Sequence, residues 1–90
     1  MPESSEAGVI LTGDLHARPA GSLAVAAGRF TSAVQITVGT ASADAKSVLS
    51  VMALGATSGQ EVIVRATGQD ASEAVGAIIA ILAAATPVGG

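Results

Sequence analysis

The hydrophobic half of this sequence is aliphatic: Phe30 is its single aromatic residue, and neither Trp nor Tyr occurs. A core must therefore be assembled from Ala, Val, Ile, Leu and Met, whose burial is worth roughly 25 cal/mol per Å² of apolar area removed from water. Small side chains of this kind suit close packing of helices on a sheet. At 90 residues there is room for one core only. Charged residues are 12% of the chain, too few for a sequence held open by its own charge.

The hydrophobic period changes several times along the chain. Val9–Thr12 is a short apolar run closed by Gly13 and Asp14, as a buried strand entering a loop would be. From Pro19 onward Leu23, Ala26, Ala27 and Phe30 recur at helical spacing, which predicts a first helix opening just after His16. Ala33–Thr40 alternates, with Val34, Ile36 and Val38 on one face and Gln35 and Thr37 on the other. Ala41–Ala43 carries a weak signal for a returning strand. Ser47 precedes the compact apolar stretch Val48–Leu54, which stops at Gly55, the pattern of a short capped helix. Glu61–Ala66 reads as another strand. Asp70 and Glu73 then resemble a capping box ahead of an apolar stripe of Val75, Ile78, Ile79 and Leu82. The order β, α, β, β, α, β, α predicts an α+β domain: an open-faced two-layer sandwich with a four-stranded antiparallel sheet and three helices on one face. Its core is expected over residues 7–85, with loose tails at 1–6 and 86–90 and a polar, fraying stretch up to Gly8.

Several functions are excluded by counting. There is no cysteine, so disulfide frameworks, zinc knuckles, iron–sulfur clusters and thiol nucleophiles go together. A single histidine, His16, cannot make a two-imidazole metal site. The formal charge is −3, and Arg18, Arg29, Lys46 and Arg65 are the only bases, which with the lack of stacking aromatics argues against nucleic acid as a partner. The stretch MPESSEAGVILTG has no positively charged leader, and the longest apolar run, 74–85, is shorter than the roughly 20 residues of a bilayer span. A cytoplasmic, monomeric protein without membrane insertion is expected.

His16 lies in Asp14-Leu15-His16-Ala17-Arg18-Pro19-Ala20, where a loop becomes a helix. The first amides of a helix have no internal partner and carry the positive end of the macrodipole, a setting suited to a phosphate. Arg18 adds a full charge two residues on, and neutral imidazole is a competent nucleophile near pH 7. A capping or surface histidine has the same spacing, so the residues by themselves leave both readings open.

Leu15-His16-Ala17-Arg18-Pro19-Ala20 resembles the active-site signature of the HPr family, the histidine-containing phosphocarriers of the bacterial phosphoenolpyruvate:sugar phosphotransferase system. Lys46-Ser47-Val48-Leu49-Ser50-Val51-Met52-Ala53-Leu54-Gly55-Ala56 is similar to that family's regulatory-serine helix, at the family's separation and without insertion. The resemblance covers roughly residues 7–85. It implies that His16 accepts a phosphoryl group on Nδ1 from phosphorylated enzyme I and donates it to IIA components of sugar permeases. Arg18 and the amides of Ala17 and Arg18 then stabilise the group. It further implies a docking surface of Ala17, Ala20, Gly21, Val48, Leu49 and Met52, and regulatory phosphorylation of Ser47 in branches that have the serine kinase, with a transcriptional regulator as a further partner. Transfer between histidines needs no cofactor, and the sequence has no phosphate-binding GxxxxGK[ST] loop and no obvious magnesium site. Two other roles share the motifs: a carrier for a specialised branch (fructose, dihydroxyacetone or nitrogen-regulatory), and a regulatory paralogue that carries no phosphate. Asp14 departs from the pattern of that family, which normally has Gly at this position, whereas here Gly13 lies one place earlier. Its carboxylate is expected either to hydrogen-bond the imidazole and oppose the incoming phosphate, or to cap the loop facing solvent.

Overall fold

A computed structural model describes residues 3–84. The elements follow as β1 (Ser4–Ile10), α1 (Ala17–Ala27), β2 (Ala33–Val38), β3 (Ala41–Asp44), α2 (Val48–Ala53), β4 (Glu61–Thr67) and α3 (Ala71–Ala84). The four strands form one antiparallel sheet in the order β1-β4-β2-β3. Alternation decides its two faces. Val62, Val64 and Ala66 of β4 and Val34 and Ile36 of β2 are buried. On the opposite face the register aligns Glu6, Arg65, Gln35 and Asp44 in one row across all four strands, and all four are exposed. A polar row of this kind suits water, so the helices cover the other side. α3 lies on β1 and β4, α1 lies beside α3, and α2 bridges α1 to β3.

The core joins Leu11, Leu15, Leu23, Val51, Ile78 and Leu82 to the inner sheet face and to alanines of α1 and α3. Phe30 is only half-buried against its edge and lies beyond the end of α1 rather than on it, because α1 stops at Ala27 with Gly28 as its cap. Met52 is exposed, so the core contains no methionine among the described residues. The first finding corrects the expectation from spacing, and the second the expectation from composition.

Two further expectations change. The polar stretch up to Gly8 is strand from Ser4 onward, and Leu11 and Thr12 lie beyond the strand's end. β1 is an edge strand whose inward residues are half-buried, so it shows little hydrophobic alternation and is held instead by its ladder to β4. The expected tail at 86–90 lies outside the described residues.

Asp70 does not form the capping box. Its carbonyl accepts the first helical bond, from the Ala74 amide (2.9 Å), but its carboxylate reaches the loop before β2. Oδ1 accepts from the Ser32 hydroxyl and amide, and Oδ2 from the Thr31 amide (2.9 Å). These bonds, the Ser32 hydroxyl foremost and then the Thr31 amide, lower the Asp70 pKa from 3.8 to about 2, against a smaller desolvation effect.

Candidate functional site

α1 begins at Ala17 with His16 as its N-cap in extended conformation (φ −100°, ψ −164°). The His16 side chain makes no capping bond and is exposed. Its carbonyl accepts from the Ala20 amide at 3.0 Å, the first bond of the helix. Pro19 has no N–H, so the amides without a carbonyl partner inside the helix are at His16 itself, Ala17 and Arg18. The exposed His16 and these amides therefore stand at the positive end of an 11-residue helix, with the exposed Arg18 in its first turn. That arrangement favours an anion attached to the ring.

What precedes His16 is pinned. Leu15 is buried (3% exposed) and its amide donates to the Ala56 carbonyl at 2.9 Å. Leu11 donates to the Gln60 carbonyl (2.9 Å) and accepts from the Gly59 amide (2.8 Å). The Asp14 carboxylate accepts from the Ser58 amide at 3.0 Å. Of its two expected settings, the structure has the loop cap, with the carboxylate on the turn after α2.

The expected docking residues separate into two groups. Leu49 is 79% and Met52 38% exposed, large apolar side chains left in water by a six-residue helix that can bury only one side. Val51 alone is fully buried from α2, and Val48 is half-buried. Ala17 is exposed and Gly21 half-exposed on α1, but Ala20 is fully buried. Ala20 belongs to the core beneath this surface and is not part of it. Ser47 is the N-cap of α2: its Oγ accepts from the Ser50 amide (3.2 Å) and donates to the Ser50 hydroxyl (2.9 Å). Gly55 closes α2 at φ +62°, the left-handed conformation that glycine adopts without strain.

Sequence reasoning missed Val25, which is 63% exposed. It follows Ala17 and Gly21 at four-residue steps along one face of α1, a spacing that could have disclosed it. This face is one side of an open groove that has Arg18 and Arg29 along it and Ile81 of α3 on the other wall. It also missed Ser58, because no local pattern links it to Asp14, 44 residues away.

Fold and site together define a class: a small open-faced α+β sandwich that presents one exposed imidazole at a helix entrance, the architecture of a histidine phosphocarrier. The family model described as the PTS HPr component phosphorylation site matches residues 4–84. The chain belongs to the HPr family, the phosphocarriers of the phosphotransferase system. It is similar to phosphocarrier protein HPr of Mycoplasma capricolum subsp. capricolum, at 41% identity over 64 residues that cover 71% of this chain and 72% of the relative. HPr of Haemophilus influenzae is 33% identical over 79 residues, 88% of this chain and 93% of the relative. The crystal structure of HPr from Bacillus anthracis matches with a TM-score of 0.78 at 30% identity, over 90% of this chain and 96% of that one.

Proposed function

We propose that His16 takes the phosphoryl group of the carrier cycle on Nδ1 from phosphorylated enzyme I and passes it to the IIA components of sugar permeases. The observation that carries this reading is the exposed His16 side chain, which caps nothing at the entrance of α1. A ring nitrogen lone pair can then attack phosphorus in line while the donor's N–P bond breaks and returns its electron pair to the donor ring. Arg18 and the α1 amides compensate the phosphoryl charge in both directions of transfer.

Ala17, Gly21, Val48, Leu49 and Met52 form the surface on which both donor and acceptor dock, and Met52 adapts to partners of different shape. Ser47 stands at the family's regulatory position, where phosphorylation would exchange its bond to Ser50 for a phosphate at the start of α2. The cytoplasm, where family members meet phosphoenolpyruvate and enzyme I, is the expected place of action. No helix among the described residues is long and apolar enough to cross a membrane. The exposed His16 favours a carrier over a regulatory paralogue that carries no phosphate.

Incubation with enzyme I and phosphoenolpyruvate should give an acid-labile, base-stable phosphoryl group on the protein, and His16→Ala should abolish it. An unlabelled wild-type protein overturns the reading. Individual IIA domains added to the labelled protein then identify the branch it serves.

A further inference from the structure

The loop that delivers His16 hangs between two main-chain anchors, Leu11 on the Gly59–Gln60 side and Leu15 on Ala56. Thr12, Gly13 and Asp14 lie between them, and this span is tied by one side-chain bond, in which the Asp14 carboxylate accepts from the Ser58 amide (3.0 Å). The turn that donates to Asp14 is itself closed: the Gln60 side chain accepts from the Thr57 amide (2.7 Å) and hydroxyl (3.3 Å), and the Gln60 amide donates to the Thr57 carbonyl (3.1 Å). Asp14 is thus tied to a formed turn two residues before the imidazole.

We propose that Asp14 is a positioning residue: its carboxylate clips the His16 loop to the turn at Ser58 and so holds the imidazole at the entrance of α1 in the orientation that transfers phosphate. The proposal rests on His16 as the phosphoryl acceptor. Three observations support it. The buried Leu15 fixes where the chain passes, but the direction in which it leaves toward His16 depends on the residue before it. The His16 side chain makes no capping bond, so the clip is the nearest side-chain restraint on the ring's approach. The bond also directs the negative charge onto a backbone N–H, so the carboxylate that the loop would otherwise leave free beside the phosphoryl site has a partner.

The test uses Asp14→Ala, which removes the acceptor, and Asp14→Asn, which keeps Oδ1 without the charge. Amide exchange at Ser58, followed by NMR, reads the clip directly. Asp14→Ala should accelerate it on the order of two- to tenfold, as expected for one lost hydrogen bond, and Asp14→Asn should restore most of the protection. Transfer from phosphorylated enzyme I should slow by a similar factor in kcat for Asp14→Ala, with KM unchanged because the docking helices are untouched, and Asp14→Asn should recover it. Wild-type kcat in Asp14→Ala overturns the proposal, whether or not Ser58 exchange rises. Equal slowing in both variants also overturns it, since charge and not the bond would then be responsible. A wild-type protein that takes no phosphoryl group removes the underlying reading of His16, a result distinct from a labelled wild type that is indifferent to Asp14→Ala.

Discussion

Both carboxylate oxygens of Asp70 are taken by a loop 38 and 39 residues earlier in the chain, and this is why a local pattern misreads it. Asp followed three residues later by Glu is the sequence of a helix start, and a helix does start there, but the carboxylate serves the tertiary fold. The neighbouring Gly68 makes the approach possible. It sits at φ +146°, and a Cβ there would lie 2.8 Å from the Ser32 Cα, so no other residue lets the two loops come this close. The lowered Asp70 pKa gives the link a pH dependence of defined sign. Asp70 binds a proton less readily folded than unfolded, so its contribution is complete above the unfolded value of 3.8 and is lost as pH falls toward about 2. Denaturant midpoints of wild type and Asp70→Asn across this range isolate the effect. The wild type should be the more stable protein above about pH 5, with the gap narrowing from about pH 4 to pH 2. A gap that stays constant over that interval contradicts the assignment.

At the scale of elements, α2 asks most for an explanation. Six residues cannot form a stable helix alone, since isolated helices below about 12 residues are marginal in water. It is held by the Ser47 cap, the left-handed Gly55 stop and one buried anchor, Val51. Val48 packs half-buried beside that anchor, while Leu49 and Met52 stay exposed, so the proposed docking duty and the anchoring duty fall on residues two positions apart. Val51→Ala should cost about 2 kcal/mol of folding stability. Leu49→Asp should change stability by less than about 0.5 kcal/mol, yet weaken binding to enzyme I about tenfold. Urea unfolding and titration calorimetry separate the two effects, and a Leu49→Asp protein with unaltered affinity would remove Leu49 from the docking surface. The cap and stop of α2 were legible because both are local chemistry within a few residues. β1 was legible only at its C-terminal end. Its Ser5 and Ala7 face inward but are half-buried at the sheet edge, so they gave no apolar alternation for the eye to find, and the strand's existence depends on β4, more than fifty residues later.

The architecture of the whole molecule could be read from periodicity, because each layer has its own hydrophobic period and the number of ways to stack them is small. The long-range ties, Asp14 to Ser58 and Asp70 to Ser32, join residues with no sequence pattern between them and could not. The choice of side chains for the core has its own consequence for the whole. Eight of the nineteen buried hydrophobic residues among those described are alanine, so bulk is supplied by the six leucines and isoleucines and by five valines. In a domain of this length, with a total stability of about 5–15 kcal/mol, each large aliphatic residue carries a sizeable share. Leu23 is fully buried where α1 meets the core, and truncation there leaves a cavity that rigid neighbours on helix and sheet cannot fill. Leu23→Ala should therefore cost about 3 kcal/mol. Phe30, the residue that in an ordinary small domain would anchor the core, is half-buried at its edge, and Phe30→Leu should cost under about 1.5 kcal/mol. Guanidinium unfolding of both variants decides the matter: a larger loss from Phe30→Leu than from Leu23→Ala would mean that the lone aromatic, and not the aliphatic layer between α1 and the sheet, holds this carrier together.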